Sequence, residues 1–185
     1  MNLGLAWFHR IAGRRKENIE NMIKCFKNCT EVFSRKKNPI EWATATLNLG
    51  AAMSLRVGGS KGKNLDIAIE CYRQCAKVYA KEKVWGEYGK VMCCLGSTCF
   101  SRMDGSRRAN IENAIGCYED CLRIRERERG SKEWTSTKLN LGNAHLVRVA
   151  GSRVDNIERA KECATNALEV LDQECGSVDW GQAMM

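Results

Sequence analysis

The chain holds a single proline, Pro39, among its 185 residues. That scarcity argues against a loop-rich all-β protein, in which strands are bounded by frequent Pro and Gly turns. Histidine is nearly as rare, at His9 and His145 only, and no Cys-x-x-Cys spacing occurs. The usual ligand patterns for structural zinc are therefore missing. There is no GxxxxGK[ST] phosphate loop and no GxGxxG dinucleotide turn. No apolar run approaches the ~20 residues of a membrane-spanning helix. The segment Met1 to Arg10 lacks a basic stretch ahead of an apolar core, so no secretory leader is read there.

What is present describes a globular chain. Hydrophobic residues make up 44% and charged residues 28%, enough for one domain with a core of its own. The formal net charge is +8, which admits acidic partners without naming one. Eleven cysteines form an odd set. An odd set cannot pair fully within one chain, and without an export leader it points to an intracellular, reducing compartment, the cytoplasm first.

The most informative feature is an internal repeat. Asn2-Leu3-Gly4 returns as Asn48-Leu49-Gly50 and Asn140-Leu141-Gly142, with Cys94-Leu95-Gly96 between them. The glycines at 4, 50, 96 and 142 define an ungapped period of 46 residues. Arg10, Arg56, Arg102 and Arg148 keep that register, as do Gly13, Gly59, Gly105 and Gly151. Asn18, Asn64, Asn110 and Asn156 follow, with Cys25, Cys71, Cys117 and Cys163, and then Trp42, Tyr88, Trp134 and Trp180. The repeat fills the chain as one domain over 1–185, with units near 1–40, 41–86, 87–132 and 133–178 and a partial unit at 179–185.

Each unit reads as two helices, A then B. Residues 41–56 place Trp42, Ala45, Leu49, Ala52 and Met53 at amphipathic helical spacings. Gly58-Gly59 stops this helix, because glycine tolerates the left-handed conformation beyond a helix end. Asn64 is read as the N-cap of helix B, with Asp66 in a first turn that favours an acid. Helices are expected near 18–36, 41–57, 64–82, 86–103, 110–129, 133–149 and 156–174, with almost no strand. One hairpin cannot bury both of its faces, so successive hairpins must stack.

Leu49-Gly50 in helix A, with Ala68, Tyr72 and Cys75 in helix B, resembles the tetratricopeptide repeat (TPR). The ordinary unit has 34 residues, and the extra residues here fall in the connections. The long form resembles the repeat arrays found beside caspase-like CHAT peptidase domains. Glu17-Asn18-Ile19-Glu20, Pro39-Ile40-Glu41-Trp42-Ala43 and Asn110-Ile111-Glu112-Asn113-Ala114-Ile115 carry that likeness. It departs from the pattern at Cys29, Cys75 and Cys121, which take the usual alanine place, and at Lys161 and Ala164 in the last helix B. The resemblance implies an all-α, right-handed α-solenoid of about four stacked helix-turn-helix repeats. It also implies a non-catalytic scaffold that binds a protein or peptide, without cofactor or metal. An interaction or sensor fragment of a CHAT-type peptidase protein is the second reading.

In TPR folds helix A lines a concave groove. Carried over by position, the groove residues are Asn48, Lys90, Ser97, Lys138, Asn140 and Asn143. Asparagines at equivalent places suit hydrogen bonding to an extended peptide backbone. Cys94 and Ala51 interrupt the fuller Lys/Asn/Arg set of the dicarboxylate clamp, so that specificity is not expected.

The A–B connections form a second candidate surface through Arg14, Arg15, Lys16, Lys61, Lys63, Arg107, Arg108 and Arg153. Segments 11–17 and 57–63 each carry +2, 103–109 carries +1, and 149–155 is neutral. Such an edge suits an anionic protein, a lipid headgroup or nucleic acid. Nucleic acid is the least favoured of these, because the connections hold no aromatic platform. Each repeated arginine is expected to pair with an acid at the start of helix B: Glu20, Asp66, Glu112 or Glu158. The Cys pairs 25/29, 71/75 and 117/121 are expected to pack as small hydrophobes, reduced and metal-free. No acid/base or nucleophile constellation recurs, so no catalysis is expected. The sequence starts and stops inside helix A patterns. Apolar Leu3, Trp7, Phe8, Val170, Leu171 and Trp180 would then favour end-to-end self-association.

Overall fold

A computed structural model describes residues 15–126 and 131–176 of the chain. Among these the protein is entirely helical: α1 Arg15–Val32, α2 Pro39–Leu55, α3 Lys61–Lys81, α4 Trp85–Ser101, α5 Arg107–Ile124, α6 Lys132–Leu146 and α7 Arg153–Gly176. Each helix packs on its neighbours in the chain, most extensively within the pairs α2/α3, α4/α5 and α6/α7. No helix among the described residues is long and apolar enough to cross a membrane. The first helix A and Trp180 lie outside the described residues, as does the side chain of Leu171. Val170, expected on an exposed end, is instead half-buried and packs against the core.

The B helices α1, α3, α5 and α7 begin three residues earlier than the periodicity indicates, and the A helices α2, α4 and α6 one or two. Asn64 is not the N-cap of α3. Ser60 is, with its hydroxyl accepting from the Lys63 amide at 3.4 Å. Ser106 caps α5 in the same way. The hydroxyl of Ser152 accepts from the Asp155 amide at the start of α7.

Asn64 instead lies buried inside the first turn and locks the preceding connection. Its Nδ2 donates to Gly58 O at 2.8 Å and to Arg56 O at 3.4 Å. Asn110 repeats the lock on Asp104 O and Arg102 O at 3.0 and 3.1 Å. Asn156 does so on Ala150 O and Arg148 O at 3.0 and 3.4 Å. The turn geometry needs glycine at one place, where Gly59, Gly105 and Gly151 have φ of 78°, 75° and 79°.

The core runs continuously through the hairpins around Phe26, Tyr72, Tyr79, Val91, Ile111 and Tyr118. The helix A glycines explain how the aromatic rings fit. A Cβ on Gly50 would stand 2.8 Å from the Tyr72 ring, and one on Gly96 would stand 2.7 Å from the Tyr118 ring. In the last pair Ala164 replaces the aromatic residue. There the space beside Gly142 is taken by the Cys163 Cβ and the Ala160 carbonyl, at 3.2 and 3.3 Å from a built Cβ. Two of the buried tyrosines keep their hydroxyls bonded, Tyr79 to Thr44 at 2.9 Å and Tyr118 to Ser97 at 3.2 Å. Removing such a partner would leave a buried polar group unsatisfied.

Candidate functional site

The repeated arginines join neighbouring units, contrary to the local pairing that the sequence register indicates. Arg56 reaches back from the end of α2 to Glu20 on α1, with Nε–Oε1 of 2.8 Å and Nη2–Oε2 of 3.1 Å. Arg102 reaches Asp66 on α3 at 2.7 Å. Arg148 takes Glu112 on α5 through two bonds of 2.8 and 2.7 Å. Glu158 pairs instead with Lys161 on its own helix, at 2.8 Å. In each lacing pair the arginine sits 36 residues beyond its acid, which belongs to the preceding helix B. The guanidinium of Arg148 holds the Glu112 carboxyl below its ordinary range. These side chains remain partly exposed, so their contribution is to the register between units more than to stability.

The six groove residues fall into three groups. Asn48 on α2 and Asn140 on α6 are half-buried at equivalent helical places, two units apart, with Cys94 of α4 between them. Asn143 is exposed one turn further along α6. The side chains of Asn48, Asn140 and Asn143 make no hydrogen bond among the described residues. Lys90 is exposed on α4 and paired with Glu87 at 2.6 Å. Ser97 is spent internally on the Tyr118 hydroxyl. Lys138 lies over the Trp134 ring at 5.4 Å. It lines an open hollow of about 390 Å³ with Leu122, Arg123, Trp134 and Glu162, which draws on α5 and α7 as well as α6. Among the described residues the asparagines are thus unpaired, while Lys90, Ser97 and Lys138 have partners within the fold.

The basic edge is likewise divided. Arg15, Lys16, Lys61, Lys63 and Arg108 are exposed, and Arg14 lies outside the described residues. Arg107 covers the Phe100 ring at 5.2 Å and donates to Phe100 O and Arg102 O. Arg153 donates to Leu146 O. Both satisfy carbonyls at the ends of helix A, where a cation is also favoured by the helix dipole.

Sequence reasoning passed over two features. The run Gly58-Gly59-Ser60-Lys61-Gly62 has the GxSxG spacing of a hydrolase nucleophile turn. That turn requires a strand before its serine, whereas Ser60 here caps α3 in a connection between two helices. The second feature is a polar knot inside the cysteine set. The hydroxyl of Thr137 on α6 lies 3.7 Å from Cys93 Sγ on α4 and 3.8 Å from Cys121 Sγ on α5. Thr137 thus joins the two thiols, and the buried Arg125 adds a positive charge nearby. No sequence spacing marks this meeting of three helices.

The remaining cysteines behave as the small-hydrophobe reading expects. Cys71, Cys75, Cys117 and Cys121 are buried, Cys25 and Cys29 are half-buried, and the ten cysteines with described side chains are free thiols. Burial raises Cys71 to about 11, Cys75 to about 12 and Cys117 to about 12. Cys93 is the exception. The hydrogen bond from Cys121 lowers it to about 6 against the opposing effect of burial. At pH 7 iodoacetamide should therefore alkylate Cys93 well before Cys71, Cys75, Cys94 or Cys117, because the thiolate is the nucleophile. Its rate should fall as pH drops through about 6. The inflection should move upward in Cys121→Ala. Peptide mapping of the modified protein reads the order of reaction, and prior modification of Cys71 or Cys117 would contradict it.

His145 is buried, and Nδ1 has no hydrogen-bond partner among the described residues. Burial, with Arg148 and Arg159 nearby, lowers its pKa and favours the neutral ring. No group of three or more His, Cys, Asp or Glu side chains suited to a metal ion occurs among the described residues. No protein-family model matches the chain, and no curated protein matches it.

Proposed function

We propose that the protein is a non-catalytic interaction scaffold that binds an extended segment of a partner protein along the helix A face. In this reading the helix pairs form a right-handed, TPR-like solenoid and α2, α4 and α6 line its concave side. The supporting observation is the set of unpaired amides on Asn48, Asn140 and Asn143, set among helices whose other polar side chains largely have internal partners. A carboxamide offers both donor and acceptor, which matches the alternating groups of a peptide backbone. Lys90 stands exposed beside the row, where an acidic residue of the segment would compete with Glu87 for its ammonium.

Selection of peptides on the immobilised full chain tests this. Selected peptides should lose about tenfold or more in affinity when Asn48 and Asn140 are both replaced by alanine, as expected for two lost hydrogen bonds. The melting temperature should stay within a few degrees, because neither amide is bonded within the fold. Peptides indifferent to both substitutions would overturn the groove assignment.

A further inference from the structure

Every described A–B connection displays an apolar residue that the fold does not bury. Val57, Met103 and Val149 are 69%, 75% and 76% exposed, each directly after its lacing arginine. Val154, in the first turn of α7, adds another at 68%. These connections lie side by side. The lacing bonds bring the end of each helix A to the first turns of the preceding helix B. Asp104 of one connection also covers Gly62 of the one before so closely that a Cβ there would meet its carboxylate. The apolar tips therefore form a row along one edge.

The same edge is cationic. Lys61, Lys63 and Arg108 are exposed there. Arg107 and Arg153 add their charge while they bond the helix ends. Net charge falls along the row, from +2 over 57–63 to zero over 149–155, where the second exposed valine appears. Separate apolar tips among flexible cations suit a deformable, negatively charged interface better than a rigid pocket. Buried apolar area and attraction to anionic lipid are the two contributions to peripheral membrane binding. A polynucleotide would answer the cations alone, and no ring stands in these connections for bases to stack on.

We propose that this edge docks the protein on an anionic lipid bilayer, with Val57, Met103, Val149 and Val154 entering the headgroup region and Lys61, Lys63 and Arg108 meeting its acidic groups. The groove on helix A is not part of this surface, so failure of one assignment leaves the other standing.

Co-sedimentation of the full chain with phosphatidylcholine vesicles, with and without phosphatidylserine, tests the proposal. Binding should require phosphatidylserine and weaken as salt rises. Each cation near an anionic leaflet is worth roughly fivefold in partitioning, so combined Lys61→Glu, Lys63→Glu and Arg108→Glu should abolish retention. The combined Val57→Ser, Met103→Ser and Val149→Ser variant is decisive. It alters no charge and only exposed side chains, so its melting temperature should hold while partitioning falls roughly tenfold or more. No retention on phosphatidylserine vesicles would overturn the proposal. So would a serine variant that binds as the parent does. Binding of an RNA homopolymer at least as tight as binding to the vesicles, and unchanged in that variant, would also overturn it and assign the edge to nucleic acid.

Discussion

Gly96→Ala should lower stability by about 1–3 kcal/mol, the usual cost of overfilling a packed core. Alanine is normally the better helix former by about 1 kcal/mol, so the expected sign is opposite to the intrinsic preference. The reason is the Tyr118 ring. An added Cβ would stand 2.7 and 2.9 Å from two of its carbons and 3.2 Å from the Cys117 Cβ. The ring is buried and its hydroxyl is held by Ser97, so it has little freedom to withdraw. Gly116 supplies the control. It lies exposed on α5, and a Cβ there meets nothing within 4 Å. Gly116→Ala should therefore stabilise the protein by about 1 kcal/mol. Urea unfolding of the two variants beside the parent decides the matter. A stabilised Gly96→Ala would show that helix A and helix B are not pressed together at this glycine.

Asn110→Ala should cost about 2–4 kcal/mol, more than the loss of an ordinary helix cap. Its buried amide donates to two carbonyls of the preceding connection, Asp104 O at 3.0 Å and Arg102 O at 3.1 Å, and its Oδ1 lies 3.4 Å from Arg102 Nη1. Removing the side chain strands partly buried acceptors at about 1–3 kcal/mol each. Asn110→Asp should do no better, because a carboxylate would face two carbonyl oxygens. Ser106→Ala removes the actual N-cap bond to the Ala109 amide and should cost only ~1 kcal/mol. Equal losses in Asn110→Ala and Ser106→Ala would contradict the division of labour between lock and cap. Loosening this connection should also release Arg102 from Asp66, which a double-mutant cycle between Asn110 and Asp66 would detect as coupling.

Several candidate residues illustrate how far pattern reading reaches. Gly50 and Gly96 were legible as fixed places in the 46-residue register, and a Cβ at either would stand within 3 Å of a tyrosine ring. Asn64 and Asn110 stood out in the repeat, but a cap was the wrong role for them. Asparagine suits both a cap and a turn lock, and only the position of the serine four residues earlier separates the two. Ser97 occupied a groove position by homology of register, yet its hydroxyl serves Tyr118. Its counterpart at Ala51 has no hydroxyl, so the register carried no sign of that bond. Cys93 looked like any other cysteine in an amphipathic stripe. Its environment depends on Cys121 and Thr137, which lie 28 and 44 residues away on other helices.

The sequence alone determined the helical character, the 46-residue spacing, the helix pairs and the glycine turns. Each of these follows from local preferences: apolar periodicity, the left-handed freedom of glycine, and the need of a half-apolar helix for a neighbour. Tertiary structure decided the pairings. Arg56 lies nearer in sequence to Asp66 than to Glu20, yet it bonds Glu20, because stacking brings the end of one helix A beside the first turns of the preceding helix B. The same stacking gathered Cys93, Cys121 and Thr137 into one knot and left Val57, Met103 and Val149 uncovered along one edge. Proximity of that kind arises only when separate helices pack, and no local preference encodes it.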